Sequence, residues 1–216
     1  MLEQGDFFPF LVLFGGMAAV PFVLLVATSF VKIAIVLMIL RNALGIQQTP
    51  PNIVVYAIAL ALTVFIMQPI ADQAYQNVMR LDVTYETIDD FSAAAMAVAG
   101  PFRGFLERNT EPEDLAFFVE IQAQLWQGVA PPPDAASSLT VLTPAFLLSE
   151  LTRAFKMGFL LYLPFLAVDL VITTILMAMG MMQVSPTIVA VPFKLLLFVA
   201  LDGWTKLVHG LVLTYV

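Results

Sequence analysis

LTPAFLLSELTRAF (Leu142–Phe155), then an apolar run, then MGMMQVSP (Met179–Pro186) and VPFKLLLFVALDGW (Val191–Trp204) together decide how this chain reads. They spell a helix start, two apolar helices and a tight connection between them. Thr143 suits an N-cap, and Pro144 suits the first helical position, where a missing N–H removes no helix hydrogen bond. Gly180 and Ser185-Pro186 bracket the connection, since glycine permits turn dihedrals and proline does not continue a helix. Each apolar run carries a charge, Asp169 in the first and Lys194 in the second.

Composition sets the class. Hydrophobic residues make up 61% and charged residues 12% of the 216, and the mean hydropathy is +0.94. An ordinary globular domain is about half apolar and about a quarter charged, so this chain is an integral membrane protein or a subunit buried in one. There is no cysteine, which excludes disulfides and thiolate chemistry. The single histidine, His209, makes no metal site alone and reads as a polar or packed helix residue. A net charge of −7 without a basic cluster argues against nucleic acid as a partner. From Asp72 to Lys156 twelve acids face five bases, so this one region carries the whole net charge.

Taken in order, the chain starts with Glu3 and Asp6 and no base before its apolar run. A cleaved signal peptide has a positive start, so residues 1–40 are expected to be retained. The run Phe7–Leu40 would be about 50 Å as one helix, against a bilayer core of about 30 Å. Gly15-Gly16 and Pro21 are expected to break it, and Lys32 sits in its second half. Arg41–Asn52 is a polar connector, with Gln47-Gln48-Thr49-Pro50-Pro51 read as a capped turn. A second apolar helix is expected over Ile53–Ile70. The polar region then predicts a helix over 88–99 capped by Thr87 and Asp90, broken or kinked at Gly100-Pro101 and resuming to Arg108. A second helix is predicted to start in a Thr110/Pro112/Glu113 capping arrangement and run to Gln127. Gly128 and Pro131–Pro133 end it. Two more apolar helices are expected over Lys156–Met182 and Thr187–Val216, bent at Pro164 and Pro192.

The fold class is therefore all-α and membrane-associated: four bent apolar helical units, arranged as two hairpins, with a small polar helical insert between the second and third. The linear division is 1–75 for the first hairpin, 76–143 for the acidic insert and 144–216 for the hairpin with the methionine-rich loop. Arg41 beside the first connector puts that connector in the cytoplasm and the insert outside by the positive-inside rule.

Lys32, Asp169 and Lys194 lie deep in apolar segments, and Asp202 lies further along. A charge at a lipid-facing helix centre costs about 3 kcal/mol or more, so these helices are expected to pack against protein. Glu150 and Lys194 are candidates for an ion pair between neighbouring subunits that sets register. Asp169 reads either as a proton relay or as a structural partner for Lys32 or a backbone donor. Met177, Met179, Met181 and Met182 crowd one turn, and read either as core gap-fillers or as a deformable apolar gate. Trp204 suits a membrane interface. No nucleophile, base and orienting group share a motif, and there is no phosphate loop or ligand cluster, so neither enzyme activity nor a cofactor is expected.

The blocks in 142–204, together with TSFVKIAIVLMILRNALGIQQTPPN (Thr28–Asn52), resemble the R subunit of the type III secretion export apparatus, in the FliP family. The resemblance covers roughly residues 20–80 and 140–216; the acidic start favours its injectisome branch over its flagellar one. It implies a structural and gating subunit of an export channel for unfolded secreted proteins, in contact with membrane lipid. It further implies about five copies joined by heterologous interfaces, with T and S subunits and also U and V subunits as partners. The assembly would sit in the bacterial inner membrane, lifted toward the periplasm. The family's methionine gasket matches Met181 and Met182 best, with Met179 beside them. Gln183 stands where flagellar versions often carry another methionine. The rival reading from the residues is a secondary transporter for a small solute, which would also use bent helices and intramembrane charges.

Overall fold

The computed structural model describes residues 14–16, 18, 21–46, 49–81, 87–126, 135–181 and 183–216. Among these residues there is no strand. The helices are α1 (Phe30–Ala43), α2 (Asn52–Met79), α3 (Ile88–Asn109), α4 (Pro112–Leu125), α5 (Leu139–Ala178), α6 (Pro186–Ala200) and α7 (Gly203–Leu213), with a 3₁₀ turn at Ala135–Ser137. Residues 21–26 are also helical and precede α1.

Several helices run further than the sequence punctuation predicts. The second apolar helix does not stop at Ile70 but passes through Pro69 and on to Met79. Helix α3 runs unbroken through Pro101. The start expected at Thr143-Pro144 lies inside α5, which begins a turn earlier, where the Ser138 carbonyl accepts from Val141 N–H at 3.0 Å and Leu142 N–H at 2.8 Å. A proline inside a helix removes one i→i−4 bond, whereas ending the helix there orphans four carbonyls. In apolar surroundings the first is the smaller loss. The 40 residues of α5 span about 60 Å, so the helix expected to start at Lys156 is only its second half, and it ends at Ala178.

The chain packs as two compact units whose boundaries fall inside α1, α2 and α5. The first unit comprises the described residues up to Val31 together with Val64–Glu150. Its core is formed by Phe105 and Leu106 of α3 and by Val141, Leu142, Ala145 and Phe146 of α5, all buried. Phe105 and Phe146 meet edge to face at 5.8 Å. The capping box of α3 forms as predicted: Asp90 N–H donates to Thr87 Oγ1, and Thr87 N–H donates to Asp90 Oδ2, both at 3.2 Å. The start of α4 is built differently. Its N-cap is Glu111, which makes no side-chain cap, with Pro112 in the first turn. Thr110 instead turns its hydroxyl back to Leu106 O. The cap comes from α5, where Ser149 Oγ accepts from Glu111 N–H at 2.9 Å and donates to Asp114.

The second unit comprises Lys32–Thr63 and Leu151–Val216. Helix α1 buries Ile33, Val36, Leu37 and Leu40. It lies close enough to α5 that a Cβ on Gly158 would stand 2.4 Å from Ile39 Cδ1. The last apolar segment is two helices, α6 and α7, meeting at 63°. The break falls at Asp202, which adopts a left-handed conformation at φ 52°, and not at Pro192, which α6 absorbs. Gly203 follows, and a Cβ there would stand 2.2 Å from Phe198 Cε2. Phe198 packs edge to face on Trp204 at 5.4 Å, so the corner is filled by two aromatic rings and has no room for a methyl group.

Helices α2 and α5 are each long and apolar enough to cross a membrane, and up to four crossings result if each bent helix pair is one span. Only 28% and 17% of their most apolar windows are buried within the chain. Their remaining apolar surface is covered by lipid or by other chains. Gly203→Ala is expected to lower stability by about 1–3 kcal/mol through overpacking at the corner. Thermal unfolding in detergent measures this, and adding Phe198→Leu should recover much of the loss by clearing the ring.

Candidate functional site

The connection between α5 and α6 follows from helix-end chemistry. Gly180 sits at φ 71°. Its N–H donates to Met177 O, and Met181 N–H donates to Leu176 O, both at 3.0 Å. This is a Schellman closure, with the left-handed residue just past the helix end and the following N–H reaching back to the carbonyl of the last turn. A residue with a Cβ would be strained at Gly180. After the turn, Ser185 is the N-cap residue of α6 and Pro186 takes its first turn.

This closure turns methionines outward. Met177 is 60% exposed, Met179 65% and Met181 41%. In the single chain these three are therefore not core gap-fillers. Met182 lies outside the described residues, as do Gln47 and Gln48 of the connector. Gln183 is exposed.

The intramembrane charges are met by specific partners. Lys194, 3% exposed on α6, donates to Asp169 Oδ2 on α5 at 2.7 Å and to the Ala43 carbonyl at 2.9 Å. Ala43 is the last residue of α1, so its carbonyl is one that the helix leaves without an internal donor. A cation there also meets the negative end of the helix dipole. Asp169 therefore pairs with Lys194 rather than with Lys32. Asp169 and Lys194 stand at nearly equal chain distances on either side of Met182, a spacing that an antiparallel hairpin brings face to face. About one turn closer to the α7 corner, Phe165 and Phe198 face each other at 6.3 Å in the same register.

Lys32 has no exposure, and its ammonium lies 3.5 Å from the centroid of the Tyr215 ring. A desolvated cation over an aromatic face is stabilised by the ring quadrupole. Glu150 is fully buried in the first unit. The bond between Glu150 and Lys194 is expected between neighbouring copies, and it is taken up with the proposal below. Asp202 carries the left-handed corner before α7, a role that the Asp-Gly dipeptide signals through its turn preference. The contact of Tyr215 with Lys32 had no sequence signal, because it joins opposite ends of the chain. Among the described residues no three His, Asp or Glu side chains gather as a metal site.

These features define an all-α membrane protein with charged anchors inside an apolar hairpin and a methionine turn facing outward. The chain belongs to the FliP family, whose profile matches residues 13–211. It is similar to Yop proteins translocation protein R of Yersinia pestis, 44% identical over 100% of this chain and 99% of the relative. The Hypersensitivity response secretion protein HrcR of Ralstonia nicotianae is 46% identical over 99% of this chain and 100% of its own. Virulence protein YscR of Salmonella typhimurium is 41% identical, covering 92% of each chain.

Asp169→Ala strands a buried ammonium and is expected to cost about 2 kcal/mol. That is less than the roughly 3–5 kcal/mol of a fully buried broken pair, because the Asp169 side chain is 34% exposed. The double variant Asp169→Leu with Lys194→Met should unfold at a higher temperature than Asp169→Ala alone. Tyr215→Phe is expected to keep the cation–π contact, whereas Tyr215→Leu should lose about 2 kcal/mol; equal unfolding temperatures for the two would exclude the ring as the stabilising group.

Proposed function

We propose that this chain is a subunit of the export apparatus of a type III protein secretion system, in the bacterial inner membrane. Support comes from similarity along nearly the whole chain to proteins named for translocation and secretion. Several copies assemble with T and S subunits, and with U and V subunits nearby, around a path for unfolded secreted proteins. The methionine turn closes that path between passages.

The observation that carries the gate is the outward presentation of Met177, Met179 and Met181 on a turn whose backbone is fixed by Gly180. The backbone is held while the side chains stay unbranched and adaptable. A ring of such turns excludes water and ions when empty and deforms around a chain of any sequence. Changing Met181 and Met182 together to alanine should raise ion leakage across the inner membrane in cells carrying the whole apparatus, with assembly preserved. If the complex assembles and secretes without leakage, the seal lies elsewhere.

Neighbouring copies are set in register by Lys194 and Glu150. An ammonium has three N–H donors. Asp169 and Ala43 take two of those of Lys194, which leaves one for the carboxylate of the next copy. Glu150 is buried in the single chain, so it must turn outward on assembly. The charge swap Glu150→Lys with Lys194→Glu should restore assembly lost in either single variant, as judged by co-purification of the complex. Equal failure of all three variants would remove the pairing.

A further inference from the structure

The second unit contains a cavity of about 130 Å³ that the gate and the buried charges do not use. Its walls are mostly hydrocarbon, including Leu37 and Leu40 of α1, Val55 of α2 and Leu195 of α6. Two further lining residues have other chemistry: Arg41 at the end of α1 and Trp204 at the start of α7. Val199 also lines it and is 70% exposed, so the cavity opens on the outer face of α6.

Arg41 is only partly served by the chain. Its Nη1 donates to Asn52 Oδ1 at 2.6 Å and to Pro50 O at 3.2 Å. These two bonds fix the plane of the guanidinium. Its Nε–H is buried without an acceptor among the described residues. The side of the guanidinium carrying Nε thus lacks the oxygen that a guanidinium fork ordinarily receives.

We propose that this cavity binds a phospholipid with an anionic headgroup, the end of one acyl chain inside it and the phosphate on the unserved edge of Arg41. The wall chemistry selects hydrocarbon. The volume is near that of an apolar cavity of about 150 Å³ that holds benzene, so it takes the end of a chain, and the rest of the lipid lies along the exposed surface of α6. Phosphate matches the guanidinium fork, and the bonds to Pro50 and Asn52 orient that fork in advance. Trp204, half exposed beside the cavity, suits the headgroup level. Free phosphate would leave the apolar walls unfilled. The rival occupant is an acidic residue with an apolar neighbour from another subunit.

Tryptophan fluorescence tests this directly, because the chain has only two tryptophans. In full-length protein with Trp126→Phe, Trp204 is the sole reporter. The protein is reconstituted in phosphatidylcholine vesicles containing an equal fraction of either brominated-chain phosphatidylglycerol or brominated-chain phosphatidylcholine. Quenching should favour phosphatidylglycerol by roughly fivefold, the scale of one basic residue at an anionic surface. Arg41→Gln should abolish that preference, and Arg41→Lys, which keeps the charge without the fork, should retain only part of it. Leu195→Phe, which fills the cavity and leaves Arg41 in place, should reduce quenching by both lipids. Equal quenching by the two lipids with Arg41 intact would overturn the proposal, as would a preference that survives Arg41→Gln. Loss of quenching when the export complex is assembled, with no lipid phosphorus retained, would assign the cavity to a neighbouring subunit.

Discussion

One ammonium group, that of Lys194, joins three helices of the second unit. It sits on α6, bonds the carboxylate of Asp169 on α5 and takes up the terminal carbonyl of α1 at Ala43. An unpaired lysine in this setting is disfavoured by desolvation, and an unpaired terminal carbonyl is disfavoured for the same reason. Each group therefore satisfies the other's unmet requirement: α1 cannot slide along the α5–α6 hairpin without losing the Ala43 bond, and α6 cannot slide along α5 without losing the Asp169 bond. The apolar contacts around the charge are non-directional; the charge supplies the register they lack.

The second constraint is that helices in apolar surroundings do not end cheaply. Proline lies within α2, α3, α5 and α6, and none of these helices stops at it. Where the chain does turn, a specific closure is present: the Schellman bonds at Gly180, and the left-handed Asp202 with Gly203 pressed on Phe198. The punctuation at Gly100-Pro101 and at Pro144 therefore misplaced helix limits, whereas Gly180 marked a real turn.

The single chain also leaves much of its apolar surface uncovered. On α5 alone, Phe155, Phe159, Leu160, Leu170 and Val171 are exposed. A surface of this kind belongs to a subunit in lipid or in an assembly. Buried charge and exposed hydrocarbon in the same helices are compatible because Lys194 is paired with Asp169 inside the unit.

The all-α membrane class was legible from the sequence because bulk hydropathy does not depend on partners. The family followed from its word-blocks in order, and the capping box of α3 from a side-chain pattern that acts within one turn. The methionine cluster was visible as a cluster, but its outward presentation was not, since exposure depends on how a turn closes. The tertiary structure decided that Asp169 meets Lys194 and not Lys32, that Tyr215 covers Lys32, and that Ser149 caps the start of α4. These contacts join residues far apart in the chain, and local sequence carries no information on distance through space. For the same reason each of the two compact units joins segments that lie far apart in the sequence.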